Sequence, residues 1–262
     1  MKIYTGNVKL KKEFKKAEHG DPDAMIRAAF TIFWRNPEAH LKRKDVRRGL
    51  RYYKCAAEAG DRSAMMDLGA LYMNGAGVKE DPDLAMEWYE RGFDSDDGRA
   101  CFCMGAALFY CFPQDHDKRE RARQILRRGA ELGDPGCMYE IAEMKLFGSG
   151  IEKDERGAYE LLEKAMITMD KEIFSGRLAR VSWRLGECHL YGIGTERDCQ
   201  RAFEYLEEAD IYFWIREKHH LFDEKLLHKR AEEEMYLSAG IYDGRHFDSS
   251  RMQTVEEILS EA

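Results

Sequence analysis

The chain has 262 residues, 44% hydrophobic and 35% charged, and 42 basic against 49 acidic side chains leave a net charge of -7. That balance excludes a general nucleic-acid binder, which needs a basic footprint, and the lack of any apolar run near 18 residues excludes a membrane-spanning helix. The first residues lack the apolar core of a secretory signal and the seven cysteines follow no paired spacing, so reduced thiols in a cytoplasmic protein are expected.

In chain order, the first expected element is a capping helix over 9–19, within an N-terminal segment 1–23. A first unit, 24–60, is marked by Ala24, Ala28-Ala29 and Ile32, a longer loop, and then Asp45, Gly49, Tyr52, Tyr53 and Ala56. The second unit, 64–97, is the regular one. Met65, Leu68, Leu71 and Tyr72 recur at three- and four-residue steps, as on one face of a helix over 63–73. Gly75-Ala76-Gly77 ends that helix, because glycine adopts the left-handed backbone of a tight exit. Asp81-Pro82 starts a second helix over 82–93: the carboxylate caps free amides, and proline at the first helical position loses no donor. Ala85, Trp88, Tyr89 and Gly92 form its expected buried side.

The third unit, 100–133, keeps Ala100 and Met104-Gly105 but has Cys111-Phe112-Pro113-Gln114 where glycines are expected. Asp117 and Glu120 there suggest a capping box. The fourth unit, 137–170, and the fifth, 181–210, return to the pattern of the second. Ala64, Cys137 and Val181 are each followed at offsets 4 and 5 by a Leu-Gly-like pair, at 11 and 13 by Gly-x-Gly, at 17 by Asp and at 21 by Ala. The seams repeat as well: Gly20-Asp21, Gly60-Asp61 and Gly133-Asp134 each stand three residues before the next small residue. An insertion between Met166 and Arg180 interrupts the regular stacking. From 211 to 262 the pattern fades into a long polar stretch and a degenerate sixth unit, with Leu237 and Gly244, then Asp248, Val255, Ile258, Leu259 and Ala262.

Self-similarity at this period marks a solenoid. The expected fold is all-α: an α/α superhelical solenoid of about five to six helix-turn-helix repeats with a longer C-terminal capping region.

The string from Leu68-Gly69 through Gly75-Ala76-Gly77 to Asp81, with Ala85 and Trp88-Tyr89 after it, resembles the Sel-one-like repeat, a relative of the tetratricopeptide repeat. Tyr52-Tyr53-Lys54-Cys55-Ala56-Ala57-Glu58-Ala59-Gly60 is similar to the end of the same motif. The resemblance covers about four fifths of the chain and implies an adaptor that gathers other proteins. The family shares no catalytic residues, so it implies none. A secreted branch staples each unit with a cysteine pair. The cysteines here, with Cys101 and Cys137 near the starts of first helices and Cys55 near the end of a second, do not supply such pairs.

On that reading first helices line the binding side. The residue before each loop's first glycine reads Trp34, Asn74, Tyr110, Phe147 and Tyr191, a column with four aromatics that either meets a partner or packs on the next unit. The column two residues after the leucine position reads Phe30, Ala70, Ala106, Glu143 and Glu187, running from apolar to acidic. It would favour an amphipathic or basic peptide, or it is ordinary surface variation. Two basic stretches, Lys42, Arg43, Lys44, Arg47, Arg48 and Arg51, then Lys118, Arg119, Arg121, Arg123, Arg127 and Arg128, read as solvated helix faces or contacts for an acidic partner.

Chemistry has weaker footholds. His220, Glu224 and His228 share one helix face as a metal-like set, with His219 and Asp223 close by, and a site there would still need tight geometry and usually a fourth ligand. Cys188-His189 are neighbours in a helix and diverge by about 100° per residue, which works against a nucleophile–base pair. The Gly-x-Gly loops follow helices and lack the Gly-Lys-Ser/Thr of a phosphate cradle. The expectation is therefore a non-enzymatic scaffold that needs no cofactor and takes a protein or peptide partner, without nucleic acid or membrane insertion. The competing reading is a hydrolase or metalloenzyme using the 211–240 segment. Self-association through Tyr212, Phe213 and Trp214 is a further option.

Overall fold

The computed structural model describes residues 13–33, 43–169, 176–218 and 225–238. Among these every regular element is an α-helix and no strand occurs. Residues 13–18 are helical and precede five helix pairs: α1 (Pro22–Phe33) and α2 (Arg43–Glu58), α3 (Arg62–Met73) and α4 (Pro82–Gly92), α5 (Gly98–Cys111) and α6 (His116–Glu131), α7 (Pro135–Phe147) and α8 (Glu155–Thr168), α9 (Gly176–Tyr191) and α10 (Cys199–Lys218). A final helix, α11 (Lys225–Ser238), packs against α10 and touches α9. The fold is the all-α helix-turn-helix solenoid that the repeats predict.

Aspartate caps punctuate the array. The Asp61 carboxylate accepts from the Ala64 amide at 2.7 Å and Asp134 from Cys137 at 2.8 Å, so the seam aspartates start the first helices. Asp81 and Asp154 start second helices in the same way, accepting from Leu84 and Gly157 at 3.1 and 2.9 Å. One expectation needs correcting. The cap of α6 is Asp115, which accepts from the Lys118 amide at 3.0 Å, while Asp117 sits inside the first turn. The helix begins at His116, so Asp115 is the last residue outside it and the one whose carboxylate reaches free amides.

The Gly-x-Gly loops carry out the exit assigned to them. Gly148 and Gly150 have φ of 68° and 72°, Gly192 and Gly194 of 72° and 69°, all left-handed. Each loop is closed by one recurring hydrogen bond. The amides of Asp81, Asp154 and Asp198 donate to the carbonyls of Tyr72, Lys145 and His189 at 2.9 to 3.0 Å. Each pair is nine residues apart. The glycine of the Leu-Gly pair has a separate role: a Cβ on Gly69 would lie 2.4 Å from the Tyr89 ring, so the close approach of α3 and α4 requires its absence.

The chain comprises two compact parts, residues 1–122 and 123–262, with α6 running through the division. The N-terminal part is centred on Ala24, Ala28, Tyr52, Tyr53, Leu68, Leu71 and Ala85. The C-terminal part holds Trp183, Leu190, Leu206, Phe213, Leu227 and Ala231 in one cluster. The domain limit expected at 211 falls inside α10, which continues to Lys218. Of the insertion expected between Met166 and Arg180, residues 170–175 lie outside the described residues, as does the second helix expected after Asp248.

Candidate functional site

First-helix residues four apart share a face, so the two columns read from the sequence belong to one surface of each first helix. In the N-terminal part this surface is open and apolar. Phe30 on α1 is 41% exposed and Tyr110 on α5 is 45% exposed. Ala70 and Ala106 are half-buried, and exposed Asn74 is the C-cap of α3, its side-chain amide donating to the Ala70 carbonyl at 2.8 Å. Tyr110 stands edge-on to Phe109, with ring centroids 5.3 Å apart. Trp34 lies outside the described residues. The half-exposed Arg99 guanidinium on α5 pairs with the buried Asp67 carboxylate on α3 and also reaches the Ser63 hydroxyl.

In the C-terminal part the same positions are closed by the protein itself. Buried Arg184 on α9 donates through Nε and Nη2 to both oxygens of Glu143 on α7, at 2.5 and 3.0 Å, a two-pronged grip. Its Nη1 donates to Glu187, three residues on. The same guanidinium lies 5.2 Å from the centroid of the half-buried Phe147 ring. The Tyr191 hydroxyl donates to Glu234 of α11 at 3.2 Å, the Trp183 indole Nε1 to the other oxygen of Glu234 at 2.9 Å, and Arg230 Nε to Glu234 at 3.1 Å.

The acidic end expected of the second column is thus no open acidic surface. The Glu143 side chain is 13% exposed and that of Glu187 is 0% exposed, because Arg184 draws both inward. Of the described aromatics in the column, Phe147 and Tyr191 are engaged within the array, whereas Tyr110 is partly exposed.

Several buried side-chain atoms of the described residues have no hydrogen-bond partner, Glu187 Oε1 and the Tyr139 hydroxyl among them. Burial, and then the charge of Glu234, push the Glu187 carboxyl well above the ordinary range, against the opposing pull of Arg184. Burial also drives the Tyr139 phenol well up, so it stays protonated.

The described residues considered for chemistry make other contacts. His228 Nε2 sits 2.9 Å from the Asp210 carboxylate, while His220 and Glu224 lie outside the described residues. Cys188 is fully buried and its thiol is pushed up by that burial, the reverse of what a nucleophile requires. His189 is held between the rings of Tyr159 and Tyr205, 5.5 and 5.8 Å away, and its proton affinity is lowered by burial and by Arg201. The basic stretches make intramolecular contacts. Lys118 and Arg119 lie over the rings of Phe112 and Phe109, and Arg121 pairs with Glu90 at 3.2 Å. Arg123 is buried against Gly150, and Arg48 lies over Phe14. Phe213 is core, whereas Trp214 and Ile211 on α10 are about half exposed, at 52% and 51%.

Sequence reasoning passed over Arg184 and Arg99, the residues that bridge neighbouring first helices. A signal was present for one of them: glutamates at Glu143 and Glu187, where the earlier repeats have Ala70 and Ala106, imply a nearby cation.

Comparison with known proteins matches this geometry. The model of the Sel1 repeat matches residues 22–61, 62–97, 99–134, 135–165 and 180–209, more than half of the chain. A Sel1 repeat protein from Oxalobacter formigenes is 24% identical with a TM-score of 0.59, over 78% of this chain and 55% of that one. The protective antigen c5321 of uropathogenic Escherichia coli, also 24% identical at TM-score 0.59, is matched over 88% of this chain and 48% of its own. This chain thus spans about half the length of those two. The immunity protein Pa5087 from Pseudomonas aeruginosa is 20% identical at TM-score 0.51, over 84% and 80%. At such identities the likeness carries the fold alone. Among curated proteins none matches the chain.

Proposed function

The chain belongs to the Sel1 repeat family, whose members typically mediate protein–protein interaction, and on that premise we propose that it is a non-enzymatic scaffold holding a partner protein segment on the first-helix surface of α1, α3 and α5. One observation supports the reading: partly exposed Phe30 and the small residues Ala70 and Ala106 hold one position of successive repeats, and partly exposed Tyr110 stands one helical turn beyond Ala106. Aromatic anchors beside small residues offer large contact area at low entropy cost and leave room for a partner's side chains. With Glu143 and Glu187 drawn inward by Arg184, the preferred segment is apolar or amphipathic rather than strongly basic. The seven free cysteines suit a reducing compartment such as the cytoplasm. No described helix is long and apolar enough to cross a membrane.

The test is co-purification of partners from native cells with the wild type, a Phe30→Ala/Tyr110→Ala variant and a Phe147→Ala variant, each shown to be helical by circular dichroism. The proposal expects the first variant to lose partners that the other two retain. Equal recovery by a folded Phe30→Ala/Tyr110→Ala protein would remove it.

A further inference from the structure

The carboxyl cluster of the C-terminal part has more acids than bases. Glu143 from α7, Glu187 from α9 and Glu234 from α11 are held by two guanidiniums, Arg184 and Arg230. Arg184 divides its donors between Glu143 and Glu187, whereas Glu234 takes Arg230, the Trp183 indole and the Tyr191 hydroxyl. Glu187 is left with one oxygen on Arg184 and the other, Oε1, buried with no partner. Glu140 on α7, buried, and Arg180 on α9 both act electrostatically on the neighbouring Tyr139. Tyr139 and Cys188 stay neutral. From α8 and α10, Tyr159, Tyr205 and Glu208 contact His189 and Ser182 rather than Glu187.

A buried carboxylate with a bare oxygen is costly, and a proton on that oxygen removes both the charge and its repulsion from Glu234. We propose that Glu187 carries a proton while α7, α9 and α11 are packed together, and that this proton latches the C-terminal helix to the array. When Glu187 loses it, an uncompensated charge faces Glu234 and α11 separates from α9. The direction of the Glu187 titration agrees, since burial and then Glu234 raise it. A carboxyl raised on folding gives stability that is fully present below the ordinary glutamate range. That stability declines as pH rises from there and is gone above the raised value. The latch therefore opens on the alkaline side.

Trp183 supplies the reporter, because its indole N–H donates to Glu234 on α11 at 2.9 Å. In ¹⁵N-labelled full-length protein the Trp183 indole resonance, assigned with Trp183→Phe, is followed from pH 5.5 to 9. The proposal expects a step with its midpoint above about pH 6, against ~4.3 for an ordinary glutamate, and no step in Glu187→Gln. Amide protection in α11, corrected for intrinsic exchange, falls by up to about tenfold per pH unit across the same window, one proton's worth. Should Glu187→Gln fail to fold, glutamate labelled at the carboxyl carbon in the wild type decides alone: one carboxyl titrates above about pH 6. If every glutamate carboxyl titrates below that, or if the indole step persists in Glu187→Gln, the latch does not exist.

Discussion

The first-helix surfaces of the two parts are built on the same register and end in opposite conditions. At matching positions the N-terminal part has Phe30, Ala70 and Ala106 with Asn74 and Tyr110, and its described aromatics Phe30 and Tyr110 stay partly exposed. The C-terminal part has Glu143, Glu187, Phe147 and Tyr191, and consumes all four in contacts with Arg184 and Glu234. Each part has an arginine bridging neighbouring first helices, Arg99 to Asp67 and Arg184 to Glu143. The difference lies in depth. Arg99 keeps about half its side chain exposed, at 51%, whereas Arg184 is at 0% and must have its charge met by the protein. Repetition fixes where a side chain sits, and its neighbours fix whether a partner can reach it.

The largest expected effect comes from removing the cation that closes the C-terminal surface. Arg184→Met leaves Glu143 and Glu187 facing each other in the interior, and breaking such a buried pair costs about 3 to 5 kcal/mol. Urea unfolding measures it, and a Glu143→Leu/Glu187→Gln background restores much of the loss. A cost below about 1 kcal/mol, the range of an exposed pair, would mean that the two arginines are equivalent after all.

A smaller effect sharpens the contrast between aromatics. Phe147→Ala is expected to lower stability by about 2 kcal/mol, less than the ~3 to 5 kcal/mol for truncating a fully buried aromatic, because its ring is only half-buried. Phe30→Ala and Tyr110→Ala, facing solvent, are expected to stay within about 0.5 kcal/mol of the wild type. Thermal melts of the three single variants test the ordering. If Tyr110→Ala proves as costly as Phe147→Ala, then Tyr110 is structural and the open surface loses its anchor.

The finest probe is Tyr191→Phe, which deletes only the hydroxyl donated to Glu234. The expected cost is about 1 kcal/mol, the net worth of one hydrogen bond, or somewhat more because the acceptor is a carboxylate. The perturbation should appear at the Trp183 indole and leave the N-terminal part unchanged, as two-dimensional amide spectra would report.

Much of the fold is legible in the sequence because its signals are local. A Gly-x-Gly at a helix end and an Asp before a helix act on amides within a few residues, so spacing alone locates them. The second repeat's two helices begin and end within a residue of where spacing puts them. The α6 cap is misread from spacing because Asp117 and Glu120 mimic a capping box, while Asp115, two residues earlier, meets the amides. The site is less legible, since exposure of a column depends on side chains from the next repeat. Nothing near Tyr191 in the chain announces Glu234, which is 43 residues away. Nothing local to Glu143 announces Arg184, 41 residues on.

The recurring bond from the Asp81, Asp154 and Asp198 amides back to Tyr72, Lys145 and His189 has a consequence for how such a chain can change in length. Donor and acceptor belong to the same repeat, so each loop is tied off without help from a neighbour. A gene duplication or excision of one whole repeat therefore carries its own closure with it and leaves the adjoining loops intact. What must be renegotiated is the seam, where a Gly-Asp pair such as Gly60-Asp61 ends one helix and starts the next, together with bridges between neighbouring first helices such as Arg184 to Glu143. Lengthening by whole repeats is thus open to the gene, while insertions of a few residues inside a loop would break the bond that sets it.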